Sequence, residues 1–127
     1  MEHLDEIYTI FKCKAVFQGG YMRFLKSDLK KELMSGNFIY KNGVYLSWYE
    51  RKNFFKIKKF VSLHEGAGYG REVFMEALER FREKDIFLKV KKDNERAIKF
   101  YELNNFFCVS GDDKYLQYIR RKDFLLV

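Results

Sequence analysis

A glycine-rich turn between an apolar strand and an amphipathic helix constrains this chain more than any other feature of its sequence. The apolar run 60–63 leads into the turn 64–71, in which Gly66, Gly68 and Gly70 alternate with other residues. Glycine permits positive φ and lets a ligand approach the backbone, so we expect this freedom to be used at all three positions. Backbone N–H groups and the positive end of the next helix then converge, which suits a phosphate. The turn predicts a site for a phosphate-bearing cofactor, with a plain tight turn as the alternative.

Length and cysteine content limit the class of protein. The 127 residues suffice for one hydrophobic core, so residues 1–127 are expected to form a single domain. Two cysteines, Cys13 and Cys108, are too few for a disulfide scaffold and form no metal-ligand pattern, so no metal site is predicted. The sequence shows no signal-peptide pattern and no apolar run of about 20 residues. We therefore expect a cytoplasmic protein with reduced thiols and no membrane contact.

The charge balance favours an anionic partner. The formal net charge is +7, with 25 basic and 18 acidic side chains. Nucleic acid would suit such a surface, and so would a cofactor with several phosphates. Charge alone does not separate the two.

Hydrophobic periodicity and turn signals predict ten secondary-structure elements. The predicted helices are 4–17, 28–35 between the N-cap Ser27 and Gly36, 71–84, and one from the N-cap Asn94 to about 103. Segment 4–17 also tolerates a strand. The predicted strands are 38–40 and 44–49, joined by an Asn42-Gly43 turn, then 54–63, 86–90, 106–110 and 115–119. The central β–loop–α–β–α order predicts an α/β (α+β) fold, a mixed central sheet with helices on both faces.

Two motifs taken together resemble the GNAT acyltransferase superfamily. Residues 60–71 are similar to the family's apolar strand followed by [Gln/Arg]-x-x-Gly-x-[Gly/Ala], and residues 94–106 to Asn-x-x-Ala-x-x-x-Tyr-x-x-x-Gly-Phe. The resemblance covers about residues 55–119 and implies a single GNAT-like domain that uses acetyl-CoA as co-substrate. A dinucleotide-binding fold is the alternative, with Asp93 as its acidic residue, but no further βαβ repeat follows to complete such a sheet.

The resemblance also implies roles for individual residues. Asn94 would contact the cofactor arm, and Tyr101, two helical turns further along the same face, would protonate the departing thiolate. An amine would attack the thioester directly, with the rate raised mainly by holding the two reactants together. The pantetheine arm would pair with the edge of the predicted strand 54–63 where that strand splays from the predicted strand 86–90. The pyrophosphate would lie on backbone N–H groups of the turn. The residues implied are Lys58, Lys59 and Phe60 for the arm, and Gly66, Ala67, Gly68, Tyr69, Gly70 and Arg71 for the pyrophosphate.

Three positions depart from the family pattern. Glu65 stands where relatives have Gln or Arg, which puts a carboxylate near the expected pyrophosphate, with Arg71 as a compensating cation. Asn104-Asn105 replaces the Gly before Phe106, a mild change because Asn tolerates the left-handed region. Lys89 stands five residues before Asn94, where some relatives carry a catalytic Glu. The general base is then His64, Glu50 or a chain of water molecules.

The lysines suggest what the acceptor is. Lys56, Lys58 and Lys59 on one strand and Lys89 on the next would repel a protonated amine, which favours an anionic acceptor such as aminoacyl-tRNA, a nucleic-acid base or an acidic small molecule. Solvated strand faces are the plain alternative for these lysines, as core packing is for Tyr101.

Three functions therefore stay open. They are an N-acyltransferase, a nucleic-acid-directed acyltransferase, and an inactive GNAT-like binding or inhibitory protein of phage or mobile-element origin. Relatives often dimerise through the C-terminal strands, so the resemblance allows a homodimer.

Overall fold

The computed structural model of the chain describes residues 3–17, 26–64 and 66–122. It contains four helices and six strands in the predicted order. The helices are α1 (Leu4–Phe17), α2 (Lys26–Ser35), α3 (Tyr69–Arg80) and α4 (Glu95–Leu103). The strands are β1 (Phe38–Lys41), β2 (Val44–Glu50), β3 (Phe54–Ser62), β4 (Asp85–Lys91), β5 (Phe107–Gly111) and β6 (Tyr115–Arg120). Segment 4–17 is helical, so the strand alternative is excluded.

Helix boundaries differ from the prediction at three places, the start of α2 and both ends of α3. α2 begins at Lys26, so Ser27 lies within the helix and its assignment as N-cap was wrong. α3 begins at Tyr69, two residues before the predicted start, because the N–H of Glu72 already donates to the carbonyl of Gly68. The helix then ends at Arg80, and Phe81 follows in a turn with its ring buried.

The sheet is mixed, as predicted. Its strand order is β1-β2-β3-β4-β6-β5. β1 and β2 are antiparallel around the turn at Asn42 and Gly43, whose φ values of 53° and 74° fit an Asn-Gly hairpin turn. β3 and β4 are parallel, and β6 is antiparallel to both β4 and β5.

The chain divides into two compact units, and β2, β3 and α3 contribute residues to both. The first unit comprises residues Met1–Trp48 and Lys59–Ala77. Its core joins the apolar faces of α1 and α2 to β2 through five buried side chains. They are Ile7, Phe11, Leu29, Leu33 and Tyr45. The periodic apolar spacing of 4–17 predicted this face of α1.

The second unit comprises residues Tyr49–Lys58 and Leu78–Val127. Alternate residues of β4, Ile86, Leu88 and Val90, are buried on one face of the sheet. The rings of Phe55 and Phe81 stack on each other, with centroids 3.7 Å apart. α4 lies on this same face, because Tyr118, the register partner of Leu88, donates from its hydroxyl to Glu102 at 3.1 Å. The opposite face of this part of the sheet carries the cleft described below.

The expectation of one domain stays a prediction. Within the described ranges, no helix is long and apolar enough to cross a membrane. Cys108 is an exposed free thiol, and the side chain of Cys13 lies outside what the structure describes.

Candidate functional site

The glycine turn of the first unit has the geometry that an anion site needs. Gly66 and Gly68 have φ values of 85° and 84°, so both occupy the left-handed region that other residues avoid. The first hydrogen bond of α3 runs from the N–H of Glu72 to the carbonyl of Gly68. The N–H groups of Tyr69, Gly70 and Arg71 therefore come before the first intrahelical hydrogen bond. The turn from Gly66 through Tyr69 is exposed. Open donors and the positive helix end thus face solvent at the predicted position.

Gly70 has a different backbone conformation from the one expected of it. It lies inside α3 and does not have a positive φ, so the expectation of a left-handed conformation at this position was wrong. A Cβ at position 70 would lie 3.6 Å from Cζ of Phe60 and 3.8 Å from Cβ of Ser62, which is ordinary van der Waals contact. The fold therefore accommodates a side chain here, and the absence of one keeps the helix start open. Glu65, the main departure from the family pattern, lies outside the described residues.

The end of β3 packs against α3, the helix that follows this turn. Phe60 packs against Phe74 of α3, with ring centroids 5.2 Å apart. Lys59 points to α2, where its ammonium group donates to Oε2 of Glu32. Glu32 also accepts a hydrogen bond of 2.9 Å from the hydroxyl of Tyr45. The side chain of Lys59 is therefore committed to a structural ion pair, and only its backbone is left for a cofactor.

Electrostatics in this ion-pair cluster favour the charged carboxylate. Burial opposes ionisation of Glu32, but the hydrogen bond and charge of Lys59 outweigh it, so the pKa of Glu32 lies below its usual range. Burial and the neighbouring Glu32 carboxylate raise the pKa of Tyr45 far above its usual range. Tyr45 therefore stays a neutral donor at all ordinary pH values.

In the second unit, the pairing between β3 and β4 is short. It covers three residue pairs, from Phe54 with Asp85 to Lys56 with Phe87. β3 continues past Lys58 and β4 continues to Lys91, and β4 is paired with β6 on its other edge from Ile86 to Lys91. The resemblance predicted that these strands splay, and the short register agrees. Lys58 lies just past the last pair, at the predicted place for a pantetheine arm.

A cleft of about 500 Å³ lies on the sheet face opposite the buried residues of β4. We call it the aromatic–lysine cleft. Its lining residues are Tyr49, Phe54, Lys56, Lys58, Phe87 and Gln117. The rings of Phe54 and Phe87 meet edge to face with centroids 5.7 Å apart, and the guanidinium of Arg51 lies 4.2 Å from the ring centre of Tyr49. No carboxylate is among these six side chains.

Sequence reasoning identified the lysines of this cleft but missed its aromatic walls. The signal that could have found them is the alternation within β3, where residues 54, 56 and 58 share one face and the buried Phe55 and Ile57 share the other. The contribution of Phe87 could not have been read from the sequence, because it depends on the register that places Phe87 beside Lys56.

α4 carries the two residues predicted from the second motif. Asn94 is the N-cap: its Oδ1 accepts from the N–H of Ala97 at 3.2 Å, as predicted. Tyr101 is buried, with its ring near those of Phe100 and Phe106. Burial raises the pKa of Tyr101 to about 12. Its hydroxyl therefore keeps its proton at neutral pH.

The two base candidates lie outside the aromatic–lysine cleft. His64 is exposed at the end of β3 in the first unit, where a Cβ on Gly43 would lie 3.5 Å from its Cδ2. Glu50, at the end of β2 in the second unit, accepts a hydrogen bond of 2.8 Å from the ammonium group of Lys84. Lys84 also donates to the carbonyl of Arg51, so this ion pair fixes the 50–54 turn.

Comparison with known proteins identifies the fold. Residues 61–106 match the model of the Acetyltransferase (GNAT) family, a match that begins in the first predicted motif and ends at the last residue of the second. No curated protein matches the sequence. The predicted resemblance to the GNAT superfamily is confirmed.

Three solved structures with the same fold illustrate the likeness. The PaiA N-acetyltransferase of Thermoplasma acidophilum, in complex with coenzyme A, has a TM-score of 0.79 at 14% identity over 94% of this chain and 93% of that one. Ard1 of Thermoplasma volcanium has a TM-score of 0.71 at 19% identity, covering 92% and 91%. The ribosomal-protein-S18-alanine N-acetyltransferase of Escherichia coli has a TM-score of 0.68 at 12% identity, covering 78% and 77%. At these identities the likeness establishes the fold.

Proposed function

Since this chain has the GNAT acetyltransferase fold and carries the family's sequence pattern over residues 61–106, we propose that it is an acyl-CoA-dependent N-acyltransferase with acetyl-CoA as its co-substrate. The observation that carries the proposal is the turn before α3. Gly66 and Gly68 adopt φ values that only glycine adopts easily, and the turn presents an exposed helix start. A turn that merely reversed the chain would not need an open helix start as well.

The pyrophosphate of the cofactor binds the backbone N–H groups of the turn, from Gly66 and Ala67 to Arg71. The side chain of Arg71 is exposed on the first turn of α3 and supplies a cation for the same phosphates. The dipole of α3 is a further source of attraction here. Together they offset the carboxylate of Glu65.

The pantetheine arm pairs with the backbone of β3 at Lys58, Lys59 and Phe60. The β3–β4 register, which ends at Lys56 and Phe87, supports this, because an extended ligand can bind the edge of a strand through backbone N–H and C=O groups. The ion pair of Lys59 with Glu32 holds the side chain away and keeps the strand fixed. Asn94 contacts the arm through its NH₂ group, since its cap uses the Oδ1 atom.

Tyr101 assists departure of the thiolate. A thiol has a pKa of about 8.5, well below the value of about 12 for Tyr101, so full proton transfer from tyrosine to thiolate is uphill. Tyr101 therefore acts as a hydrogen-bond donor to the thiolate, and solvent supplies the proton later. Such a donor adds on the order of 10²-fold to the rate.

The acceptor amine binds in the aromatic–lysine cleft. Its lining has two lysines and no carboxylate, which favours an acceptor that carries negative charge elsewhere in the molecule. Glu50 is already bound to an ammonium group and His64 lies outside this cleft, so water removes the proton of the attacking amine. A weak base suffices where the amine arrives unprotonated, because the positive cleft disfavours the ammonium form.

The test is a thermal unfolding experiment with acetyl-CoA, using ATP at the same concentration as a matched polyphosphate. At about 100 times its Kd, a ligand adds about 2.7 kcal/mol of stability. That corresponds to a rise in Tm of roughly 10 °C for a chain of this size. A rise with acetyl-CoA alone supports the proposal. An equal rise with ATP would indicate a general phosphate site, and no rise with either would favour the inactive binding or inhibitory protein.

A further inference from the structure

A row of lysines extends the aromatic–lysine cleft along β4. Residues alternate on this strand, so Phe87, Lys89 and Lys91 share the face of the cleft, while their buried neighbours share the other. Lys89 is the register partner of Gln117, a cleft residue, and Lys91 is the partner of Tyr115. Both lysines are exposed. Because a strand rises about 3.4 Å per residue, their Cα atoms are about 7 Å apart.

The electrostatics of this end of the sheet are positive. Asp112, in the turn between β5 and β6, accepts hydrogen bonds from the N–H groups of Tyr115 and Lys114. These bonds hold its pKa below the usual range, and the charges of Lys89 and Lys92 lower it further. Asp112 is thus an ionised carboxylate already bound to the backbone, and the charges of Lys89 and Lys92 reach it from the cleft end of β4.

The cleft itself offers flat apolar surfaces to a ring. Phe54 and Phe87 are perpendicular to each other, and Tyr49 is tilted toward Phe54 at 6.5 Å. Arg51 over Tyr49 adds a planar cation at the rim. An acidic peptide would use the lysines, but Asp and Glu side chains carry no ring to stack on these aromatic faces. A nucleic-acid base uses both, since every base has a π-face and every nucleotide a phosphate.

We propose that the acceptor is a single-stranded nucleic acid, with one base stacked in the aromatic–lysine cleft and the adjoining phosphates bound by Lys89 and Lys91. This names the acceptor class of the proposed acyltransferase and rests on that function. An amino group of the nucleic acid attacks the thioester. The N–C bond forms and the C–S bond breaks, so coenzyme A leaves as a thiolate. The amine loses one proton to water.

The test measures binding of a fluorescent 12-nucleotide single-stranded RNA by anisotropy, without acetyl-CoA, over a range of salt concentrations. Two phosphate contacts predict a slope of about −1.4 in log K against log salt from these lysines. The Lys89→Ala/Lys91→Ala variant should lose that part of the slope and bind about tenfold or more weakly at low salt. Phe87→Ala should weaken binding about tenfold with the slope unchanged.

The matched control is Lys99→Ala/Lys122→Ala, which removes two exposed charges, one on α4 and one after β6. It should bind as the unmodified protein does. Equal losses in both double variants, or equally tight binding of the duplex of the same sequence or of an oligo-aspartate peptide, would overturn the proposal. Failure here with intact acetyl-CoA binding rejects only the acceptor, whereas RNA binding without acetyl-CoA binding rejects the acyltransferase and leaves the RNA site.

Discussion

Lys56 and Lys59 lie three residues apart on β3, yet their surroundings differ in every respect that matters for function. Lys56, in the second unit, lines an open cleft between aromatic rings. Lys59, in the first unit, is bound to Glu32, whose side chain is only 10% exposed and is also held by Tyr45. One lysine leaves its charge available to a ligand, and the other uses its charge to satisfy a buried carboxylate.

The same contrast holds for two buried tyrosines. Tyr45 in the first unit donates to Glu32, and the ring of Tyr101 in the second lies near those of Phe100 and Phe106. Burial raises both pKa values, but only Tyr45 has a carboxylate neighbour that adds to the shift. A shifted pKa alone therefore does not mark a catalytic group in this protein. The neighbouring groups decide whether the residue stabilises the fold or serves the reaction.

The largest expected effect concerns the buried ion pair. Glu32→Ala leaves the ammonium group of Lys59 without its partner and should lower the free energy of unfolding by about 3 kcal/mol or more. Lys56→Ala is the matched change at the lysine that lines the open cleft. It should change the free energy of unfolding by no more than about 0.5 kcal/mol. Urea denaturation followed by the fluorescence of Trp48 measures both. Equal losses would mean that the two lysines have the same structural role.

The tyrosine pair gives the next largest effect. Tyr101→Phe should lower kcat on the order of 10²-fold with little change in KM, because a donor to the leaving thiolate acts in the transition state. Tyr45→Phe should leave kcat unchanged and cost about 1 kcal/mol of stability through its lost hydrogen bond to Glu32. Release of free coenzyme A measures kcat. An unchanged kcat in Tyr101→Phe would mean that Tyr101 only packs in the core and takes no part in the reaction.

A charge reversal in the cleft should have a smaller effect. Lys56→Glu should lower kcat/KM for an anionic acceptor by about tenfold and raise it for a cationic amine, because a rim charge acts mainly on encounter with the substrate. The comparison needs one acceptor of each sign, assayed at low salt, where surface charges are screened least. If acetylation of a cationic peptide is already faster in the unmodified protein, the anionic acceptor is excluded.

The smallest expected effect is on the pH dependence of stability. It tests the ion pair of Glu32 and Lys59 in the first unit. The pKa of Glu32 is lower in the folded than in the unfolded protein, so its contribution is fully present above the unfolded value. That contribution is lost as the pH falls through the folded pKa. Stability should therefore drop more steeply from about pH 6 to about pH 3 than in the Glu32→Gln/Lys59→Met variant. Parallel curves would show that the pair contributes nothing.

The sequence was informative where short-range rules operate. The Asn42-Gly43 turn, the Asn94 cap and the positive φ of Gly66 and Gly68 follow from local backbone chemistry, and each was predicted correctly. The order of elements and the mixed sheet followed from periodicity. The start of α3 was missed by two residues, because Tyr69 and Gly70 are poor helix formers that the tertiary structure overrides.

Long-range contacts account for what the sequence did not reveal. Glu32 is 27 residues from Lys59, so nothing in the spacing predicted that one of three neighbouring lysines would be neutralised. The aromatic walls of the cleft required the register of β3 and β4, which only the folded sheet supplies. Gly70 was grouped with its neighbours by spacing, although its backbone is helical.

Calorimetric titration of acetyl-CoA into the protein and into Gly70→Asp tests the central claim most directly. A Cβ fits at position 70, and a carboxylate in the first turn of a helix is stabilising, so the variant should fold with an equal or higher Tm. Like charges about 4 Å apart repel by about 4 kcal/mol at an intermediate dielectric, so its affinity should fall about 100-fold or more. We expect micromolar binding by the unmodified protein and loss of binding in the folded variant. Equal affinities for both would contradict a pyrophosphate site at the start of α3.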